Sequence, residues 1–443
     1  MYSEKKLLEG LRRMVSKDKT SITFHSGILT IGGTVIEVAY KDSHIFFDFG
    51  TEFLPELELP DESVQTLTDH KVIPHLKNMY DARIPYKYEG DEDKDYANTA
   101  VFISHAHLDH TRMLNYLDPS IPLYTLKETK MIVNSLNRNG VFLLPSPFED
   151  DTFTREMIGL DAGDVIKVGE IEVEIVRVDH DAYGAAALII KTPGHHITYT
   201  GDLRLHGHNA EDTIEFCKKA KHTDILMMEG VSISFGDRKE VEDEIKPENE
   251  EDVIRHIARL EQENPNRQIT FNGYPANVRR FEKIVEGTSR TVVLEATMAA
   301  LLKEVFQKDA HYYYRDGAPK LDELDPTLEI SYQTLLEDTS KYLWQAVDHF
   351  ERLQEGSLYI HSDAQPLGDF DPNYQPFLDL LAEKHIEFVR LSCSGHAKPD
   401  DLDRIIAMIE PKCLVPIHTL KPELLVNPYG DRILPYRGEK IVL

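Results

Sequence analysis

The chain has 443 residues, a length that favours two domains over one, and 41% of them are hydrophobic, enough to fill a sizeable core. The formal net charge is −28, which speaks against nucleic-acid binding through a broad basic surface, although bound divalent cations or a local basic groove would offset it. No run of 18 apolar residues occurs, so we expect no membrane span.

Cysteine usage and the N-terminus indicate the cellular compartment. Cys217, Cys393 and Cys413 lie far apart without a CxxC pair, which is typical of a reducing cytoplasm and argues against a disulfide scaffold or a thiolate zinc site. Residues 1–6 carry charges but no apolar segment of the kind that signal peptides contain. We therefore expect a cytoplasmic protein.

The first half of the chain reads as short strands and helices. Helices are predicted over 3–14, 72–79, 108–117 and 125–137, and strands over 34–40, 43–49, 99–104, 171–178, 184–192, 197–200 and 224–228. A polar residue stands at the C-terminal tip of five of these strands, within the strand or up to two residues beyond it, namely Asp48, His105, His180, Asp202 and Glu229. Layered α/β enzymes gather catalytic residues from strand ends, although each of these residues taken singly is also interpretable as a cap.

The composition changes over 236–252, a highly charged segment with a proline at 247 that we interpret as a domain boundary. Beyond it, predicted helices alternate with predicted strands: helices over 249–262, 276–286, 297–306, 340–353 and 376–384, and strands over 268–271, 291–295, 357–361 and 387–391. This alternation predicts a separate domain with a parallel sheet and helices on both faces. A helix that begins at Pro399 and a buried strand over 413–417 follow, and His418 closes that strand.

The stretch His105-Ala106-His107-Leu108-Asp109-His110 carries the strongest chemical signal. It places four metal-competent side chains directly after a buried strand. In an extended backbone His105 and His107 point to the same side, since side chains alternate along a strand. The pattern predicts the start of a two-metal site, and the alternative is a set of surface histidines in a loop.

These residues resemble a known family. The stretch is similar to the HxHxDH signature of the metallo-β-lactamase superfamily, and Asp48, His180 and Asp202 match its other motifs in order. Three further pieces resemble the additional motifs of the β-CASP nucleases, a group that includes ribonuclease J: Glu229, Ser394-Gly395-His396 and Pro416-Ile417-His418. The resemblance covers about residues 20–443.

The resemblance implies an α/β fold, a metallo-β-lactamase αββα sandwich over 1–236 and 386–443 that is interrupted by a β-CASP domain over 237–385. It also implies two zinc ions, one bound by His105, His107 and His180, the other by Asp109, His110 and His418, with Asp202 between them. Imidazole and carboxylate ligands without thiolates suit zinc. A hydroxide shared by the ions would attack the phosphorus of an RNA phosphodiester.

The resemblance further implies roles for residues around the metals. His396 would protonate the leaving 3′-oxygen or hold the phosphate, and Glu229 would orient a catalytic histidine. Asp48 would orient a metal ligand, and Asp109 would take part in catalysis as a ligand of one metal. Single-stranded RNA is the expected partner, single-stranded DNA stays open, and a homodimer is a family expectation.

RNA contacts are predicted at two places. Ser392, Ser394 and Gly395 are candidates for phosphate binding, and Ser392 stands where ribonuclease J-type enzymes usually carry histidine, so the 5′-end preference stays open. Tyr274 is a candidate for stacking on a base and Arg279 for contacting a phosphate. The alternative for this second place is ordinary helix capping with exposed arginines.

Two rival functions remain at this stage. The first keeps the metal-dependent hydrolase but gives it a small ester, lactone or phosphodiester substrate, which the acidic composition favours. The second is a non-catalytic binding protein that has kept the fold, and it would be supported by the loss of a metal ligand. The sequence retains all seven ligands of the motif set.

Overall fold

The computed structural model describes residues 19–52, 54, 57–88, 98–235, 246–368 and 371–443. The predicted helix over 3–14 and the predicted domain boundary between residues 236 and 237 lie outside these ranges. Within them, no helix has the length and the apolar composition that crossing a membrane requires.

Two seven-stranded sheets form the larger part of the molecule. The first sheet has the order β20-β1-β2-β3-β4-β5-β6, with strands Lys440–Val442 (β20), Ser21–Ser26 (β1), Val35–Tyr40 (β2), Ser43–Phe47 (β3), Asn98–Phe102 (β4), Leu123–Leu126 (β5) and Ile158–Leu160 (β6). The second has the order β19-β18-β11-β10-β9-β8-β7, with strands Asp431–Arg432 (β19), Cys413–Ile417 (β18), Ile225–Glu229 (β11), His195–Tyr199 (β10), Ala186–Thr192 (β9), Ile171–Arg177 (β8) and Val165–Val168 (β7).

The two sheets pack face to face, because each has alternating apolar residues that only the other sheet can cover. Phe24 and Phe47 of the first sheet share one buried cluster with Ile190 and Tyr199 of the second. The rings of Phe47 and Tyr199 stack with centroids 4.5 Å apart, which fixes β3 against β10.

Helices cover the outer faces of both sheets. On the first sheet lie Val64–Asp69 (α1), Leu108–Thr111 (α2) and Lys127–Leu136 (α3), and on the second lie Ala210–Lys219 (α4) and Pro399–Ile409 (α10). Buried residues of α1, α3, α4 and α10 share clusters with the sheet residues beneath them. The layers therefore follow the order helix, sheet, sheet, helix, and the predicted αββα sandwich is confirmed.

A third, six-stranded sheet is built entirely by the segment between β11 and α10. Its order is β14-β13-β15-β12-β16-β17, with strands His311–Tyr313 (β14), Thr291–Glu295 (β13), Tyr342–Gln345 (β15), Ile269–Gly273 (β12), Leu358–Ser362 (β16) and Glu387–Arg390 (β17). Every pair in it is parallel. Its helices are Glu250–Glu263 (α5), Val278–Gly287 (α6), Ala296–Phe306 (α7), Tyr332–Glu337 (α8) and Tyr374–Glu383 (α9). The predicted inserted parallel-sheet domain is thus confirmed.

The last strand of the inserted sheet, β17, lies beyond residue 385, where we predicted that the inserted domain ends. Strand β17 pairs in parallel with β16, and it ends at Arg390, beyond residue 385. The limits at 236 and 385 stay predictions, and the pairing of β17 favours a second limit after Arg390.

Two predicted helices are wrong. Residues 340–353 contain strand β15, which lies between β13 and β12; a central parallel strand is apolar on both faces, so its sequence does not alternate and resembles a buried helix. Residues 72–79 contain no helix, and α1 lies earlier, where the Ser63 hydroxyl accepts the N–H of Thr66. Pro74, which cannot donate to a helix interior, falls in the wrongly predicted segment.

The inter-sheet core can be tested at Phe47, whose side chain is fully buried. We expect Phe47→Ala to lower the free energy of unfolding by about 3–5 kcal/mol, the usual cost of removing a buried aromatic ring. Val165→Ala, at an edge-strand side chain that is 57% exposed, should change it by no more than about 0.5 kcal/mol. Guanidinium titrations of both variants measure the two values, and equal losses would contradict the assigned packing.

Candidate metal centre

The residues of the HxHxDH stretch are placed by the end of β4. Strands β3, β4 and β5 run in parallel, so their carboxyl ends share one edge of the first sheet. His105 and His107 follow β4, and Asp109 and His110 lie in the single turn of α2, where an extended His107 is the N-cap residue. The local structure is therefore a strand that passes directly into a short helix.

The remaining ligands come from the same edge of the second sheet. Strands β10, β11 and β18 are parallel to one another, and Asp202, Glu229 and His418 follow or close them at their carboxyl ends. His180 follows β8. Because the two sheets are stacked, both sets of strand ends open into one cleft.

Seven side chains converge there in two groups. His105, His107, His180 and Asp202 form the first group, and Asp109, His110 and His418 form the second. In the first, His107 Nδ1 lies 3.1 Å from His105 Nε2 and 3.3 Å from His180 Nε2. In the second, Asp109 Oδ2 lies 3.3 Å from His418 Nε2 and 3.5 Å from His110 Nε2.

Asp202 lies between the two groups. Its Oδ2 atom is 3.6 Å from His105 Nε2 and 3.3 Å from His110 Nε2, one ligand atom of each group. Its other oxygen accepts the Nδ1–H of His418 at 2.9 Å. A single carboxylate thus faces both groups and fixes the ring of one of their members.

The donor set fits metal ions. Four-coordinate zinc with bonds of about 2.0–2.1 Å separates neighbouring ligand atoms by about 3.3 Å, close to the spacings within each group. Among the described residues, buried His110 Nε2, His418 Nε2 and Asp202 Oδ2 have no hydrogen-bond partner. Buried polar atoms without partners are costly, and a shared cation would satisfy all three.

The electrostatics of the two groups differ. Burial lowers the pKa of His180 to about 3, with nearby His107 and His396 adding to the effect, so its imidazole is neutral and Nε2 is free to bind a metal. At His110 burial also disfavours the charge, but the carboxylates of Asp109, Asp202 and Asp48 outweigh it and raise the pKa well above its ordinary value. The carboxylates around the second group therefore favour a positive charge at His110.

Asp48 holds one ligand from behind. It is fully buried, and its carboxylate accepts the Nδ1–H of His110 at 2.8 Å, the N–H of Ser104 at 2.7 Å, the Ser104 hydroxyl at 2.8 Å and the hydroxyl of Tyr199. Its backbone is left-handed, with φ of +59°. Four donors fix the carboxylate, and the carboxylate in turn fixes which nitrogen of His110 faces the cleft.

His396 stands beside the two groups. Its Nδ1–H donates to Glu229 Oε1 at 3.3 Å, and its ring centroid is 5.1 Å from that of His180 and 5.9 Å from that of His418. Glu229 is fully buried and also accepts the N–H of Val231 at 2.9 Å. Burial lowers the pKa of His396, but Glu229 and Asp202 outweigh it and raise the pKa to about 9.

Gly395, which precedes His396, contributes a carbonyl to the site and occupies a position where a side chain does not fit. Its carbonyl accepts the Nδ1–H of His180 at 2.6 Å, so it orients a ligand of the first group. A Cβ at Gly395 would lie 2.5 Å from the carboxylate of Asp181, which rules out any larger residue without a shift of the loop. Asp181 itself lies 3.2 Å from His180 Nε2 through Oδ1.

Of two predicted RNA contacts, Tyr274 lies at the metal groups and Arg279 does not. Tyr274, from the end of β12, reaches the centre, with its ring centroid 5.2 Å from that of His107. Arg279 is occupied elsewhere: its guanidinium pairs with Glu282 and lies over the rings of Tyr183 and Phe306, at 4.6 and 4.3 Å. Its contacts therefore do not support phosphate binding.

The structure adds residues that the sequence reasoning missed. Ser104 lies 2.9 Å from His105 Nδ1 through its hydroxyl and donates to Asp48. Tyr199 donates to the same carboxylate from the second sheet. Both lie within three residues of a predicted ligand along the chain, and that proximity is the sequence feature that could have identified them. Asp181 is a third residue that was missed, and it is adjacent to His180.

Similarity to known proteins extends over nearly the whole chain. Residues 89–241 match the sequence family described as the β-lactamase superfamily domain. Ribonuclease J of Mycoplasma genitalium is 20% identical over 427 residues, 91% of this chain and 68% of its own length. Probable RNase MJ4 of Methanocaldococcus jannaschii is 26% identical over 237 residues, 50% of this chain and 48% of its own length.

A solved structure is much more similar. The crystal structure of a protein of unknown function from Enterococcus faecalis V583 shares 71% identity with a TM-score of 0.94, and the match covers 96% of this chain and 100% of that one. The inserted sheet and the sandwich therefore occur together in an experimentally determined relative.

The hydrogen bond by which Asp48 fixes the His110 ring can be tested by measuring metal binding. We expect Asp48→Asn to weaken the binding of added Zn²⁺ about 10–100-fold, because the amide no longer fixes the His110 ring through a charged acceptor. Asp224→Asn is the control, since Asp224 precedes β11 at the opposite end of that strand and accepts the N–H of His196. Competition with a chromogenic chelator measures both, and wild-type affinity in Asp48→Asn would refute this role.

Proposed function

The chain belongs to the metallo-β-lactamase superfamily and, within it, to the β-CASP ribonuclease family, and on that premise we propose that it cleaves RNA phosphodiester bonds with two zinc ions. As a member it is a metal-dependent hydrolase. The observation that carries the proposal is the convergence of seven ligands in two groups around Asp202. A binding protein without catalysis is disfavoured, since no ligand of either group is lost.

Zinc is the metal that we propose for both groups. The ligands are imidazole nitrogens and carboxylate oxygens, a set that zinc accepts readily. His105, His107 and His180 would hold one ion, Asp109, His110 and His418 the other, and Asp202 both. When bound, the zinc pair would supply the positive charge that activates water and neutralises a phosphodiester.

We propose that His396 donates a proton to the leaving 3′-oxygen. Departure of a 3′-oxygen requires a donor within reach of the bond that breaks, and an imidazolium is a suitable donor near neutral pH. Glu229 favours the protonated ring, because its buried carboxylate accepts the Nδ1–H and leaves Nε2 free. The His396 side chain is one-fifth exposed, so a bound substrate can contact the ring.

The loop that carries His396 also has the form of an anion site. The carbonyl oxygens of Cys393, Ser394 and Gly395 all accept hydrogen bonds from side chains of the protein interior. Since each peptide is planar and trans, the N–H next to each carbonyl points the opposite way. Within the described ranges the N–H groups of Ser394 and Gly395 meet no backbone acceptor, and such a pair suits a phosphate.

The inserted domain favours a polymeric substrate over a small ester. It brings Tyr274 against His107, and the Tyr183 N–H of the sandwich donates to the Ala276 carbonyl at 3.0 Å, so the insert is anchored over the metal groups. An aromatic ring beside a phosphate site provides a stacking surface for a base. This geometry suits a single strand and does not distinguish RNA from DNA.

A substrate panel tests the proposal. The panel consists of single-stranded RNA with a 5′-phosphate, a 5′-hydroxyl or a blocked 5′-end, and a comparison among the three separates exonuclease from endonuclease activity. We expect the protein to cleave RNA and to cleave matched DNA more slowly, because the named relatives are ribonucleases. Gel analysis of end-labelled oligonucleotides measures the products. Cleavage of small esters or lactones without cleavage of any oligonucleotide would overturn the proposal.

The role of His396 gives a second test. We expect His396→Ala to retain about two zinc ions per chain, as judged by elemental analysis against the wild type, and to lose about 10²–10⁴-fold in RNA cleavage. His385→Ala is the control, since His385 is 72% exposed and lies before β17, at the end of the inserted sheet away from the metals. Undiminished cleavage by His396→Ala would remove this residue from the mechanism.

A further inference from the structure

A buried ionic cluster lies beneath the loop that carries His396. Its members are Arg204, Glu250 and Arg280, whose exposed fractions are 2%, 0% and 1%. Glu250 Oε1 accepts from Arg204 Nη1 at 2.8 Å and from Arg280 Nη2 at 2.8 Å, and Glu250 Oε2 accepts from Arg280 Nε at 2.8 Å. One carboxylate thus binds two guanidinium groups.

The cluster joins the two domains. Arg204 follows the ligand Asp202 in the sandwich, and its Nε lies 3.2 Å from Asp179, which immediately precedes His180. Glu250 is the first residue of α5, and Arg280 lies in α6, both in the inserted domain. The Arg204–Glu250 pair crosses the boundary, the Arg280–Glu250 pair lies within the insert and the Arg204–Asp179 pair lies within the sandwich, so the domains share one network.

The guanidinium groups hold the loop through its backbone. Arg280 Nη2 donates to the Cys393 carbonyl at 3.3 Å, and Arg204 Nη1 donates to the Ser394 carbonyl at 3.0 Å. His206 Nε2 donates to the same Ser394 carbonyl at 2.9 Å. These bonds turn the two carbonyls inward, and they act on the residues immediately before Gly395 and His396.

We propose that Glu250 is a positioning residue through which the inserted domain sets the place of His396 over the metal groups. Its carboxylate fixes both guanidinium groups, and their other N–H groups fix the Cys393 and Ser394 carbonyls. The inference rests on the proposed nuclease function only for its catalytic consequence. The structural part, that Glu250 orders the loop, stands independently of the substrate.

The charge of Glu250 is essential to this arrangement. Burial raises the pKa of Glu250, but the charges of Arg280 and Arg204 outweigh burial and lower the pKa from its ordinary value, so the carboxylate is ionised. Removing one partner of a buried pair leaves the others uncompensated, which displaces them. Glu250→Gln keeps the shape of the side chain and removes its charge, so both guanidinium groups lose the carboxylate that joins them. Each keeps one other carboxylate, Asp179 for Arg204 and Asp363 for Arg280.

Glu261 provides a matched control on the same helix. It is 3% exposed, and its carboxylate accepts the Ser289 N–H at 2.8 Å and the Arg290 N–H at 3.4 Å. Those contacts lie before β13, on the side of the inserted sheet away from the metals. Glu261→Gln therefore neutralises an equally buried glutamate of α5 without touching the loop.

Hydrogen exchange tests the structural part on the zinc-loaded full chain. We expect the N–H groups of His396 and Ala397, which donate to the Ser394 hydroxyl and the Leu203 carbonyl, to exchange about tenfold faster or more in Glu250→Gln than in the wild type and in Glu261→Gln, since exchange reports local opening. Zinc content should be equal in all three proteins. Equal exchange of these amides in the two variants would overturn the proposal, whether or not the protein cleaves RNA.

Steady-state cleavage of RNA tests the catalytic consequence. We expect Glu250→Gln to lower kcat about tenfold or more with little change in KM, because a displaced His396 weakens the reaction step more than binding. Glu261→Gln should keep the wild-type kcat, and Glu250→Asp, which retains the charge, should recover part of the loss. A loss of kcat in Glu261→Gln equal to that in Glu250→Gln would indicate general destabilisation and overturn the inference.

A second variant keeps the test decisive if Glu250→Gln does not fold. Arg280→Lys retains a positive charge for Glu250 but lacks the planar fork that also reaches the Cys393 carbonyl. We expect the same faster exchange of the loop amides in this variant. Unchanged exchange would refute the proposed chain of contacts. A wild-type chain that cleaves no oligonucleotide would refute the proposed function, and the exchange data would still decide the role of Glu250.

Discussion

The structure depends on a buried carboxylate that faces two sets of ligands at once. Asp202 Oδ2 lies within 3.6 Å of one imidazole from each group and has no hydrogen-bond partner in the described part of the chain. A carboxylate in that situation is strongly disfavoured unless cations neutralise it. The surrounding fold can be understood as the means of keeping seven such ligands in place without collapse of the cleft.

The arrangement of the two sheets solves this problem. Parallel strands deliver their carboxyl ends to a common edge, and stacking of the sheets brings two such edges together. The ligand rings are then fixed from behind: Asp48 holds His110, the Gly395 carbonyl holds His180, and Asp202 holds His418. Each of these bonds selects which ring nitrogen faces the cleft, so the centre is organised before any ion binds.

The inserted domain contributes to the centre as well as covering it. Its parallel sheet ends near the metals at Tyr274, and its helices supply Glu250 and Arg280 to the network under the His396 loop. A formal charge of −28 argued against a nucleic-acid substrate. Locally, however, the proposed phosphate site would combine bound zinc ions with backbone N–H groups, and local charge decides binding at close range.

The sequence by itself determined the candidate metal ligands and the alternation of elements. Strand period and strand-end polarity are local properties, so His105, His180, Asp202 and His418 were identifiable from their neighbours, and the inserted parallel sheet followed from alternating helices and strands. Local pattern failed at β15, where burial on both faces removes the alternation that distinguishes a strand from a helix.

Only the tertiary structure decided what the remaining polar residues do. Glu250 reads as an ordinary acidic residue in the first turn of a helix, and Arg279 and Arg280 read as equivalent neighbours. Folding sends Arg280 and Glu250 into the domain junction and leaves Arg279 with Glu282 and two aromatic rings. Such outcomes depend on contacts between segments that are distant along the chain, as Arg280 is from Glu250 by 30 residues and Arg279 from Tyr183 by 96, and a sequence pattern reports only the neighbours along the chain.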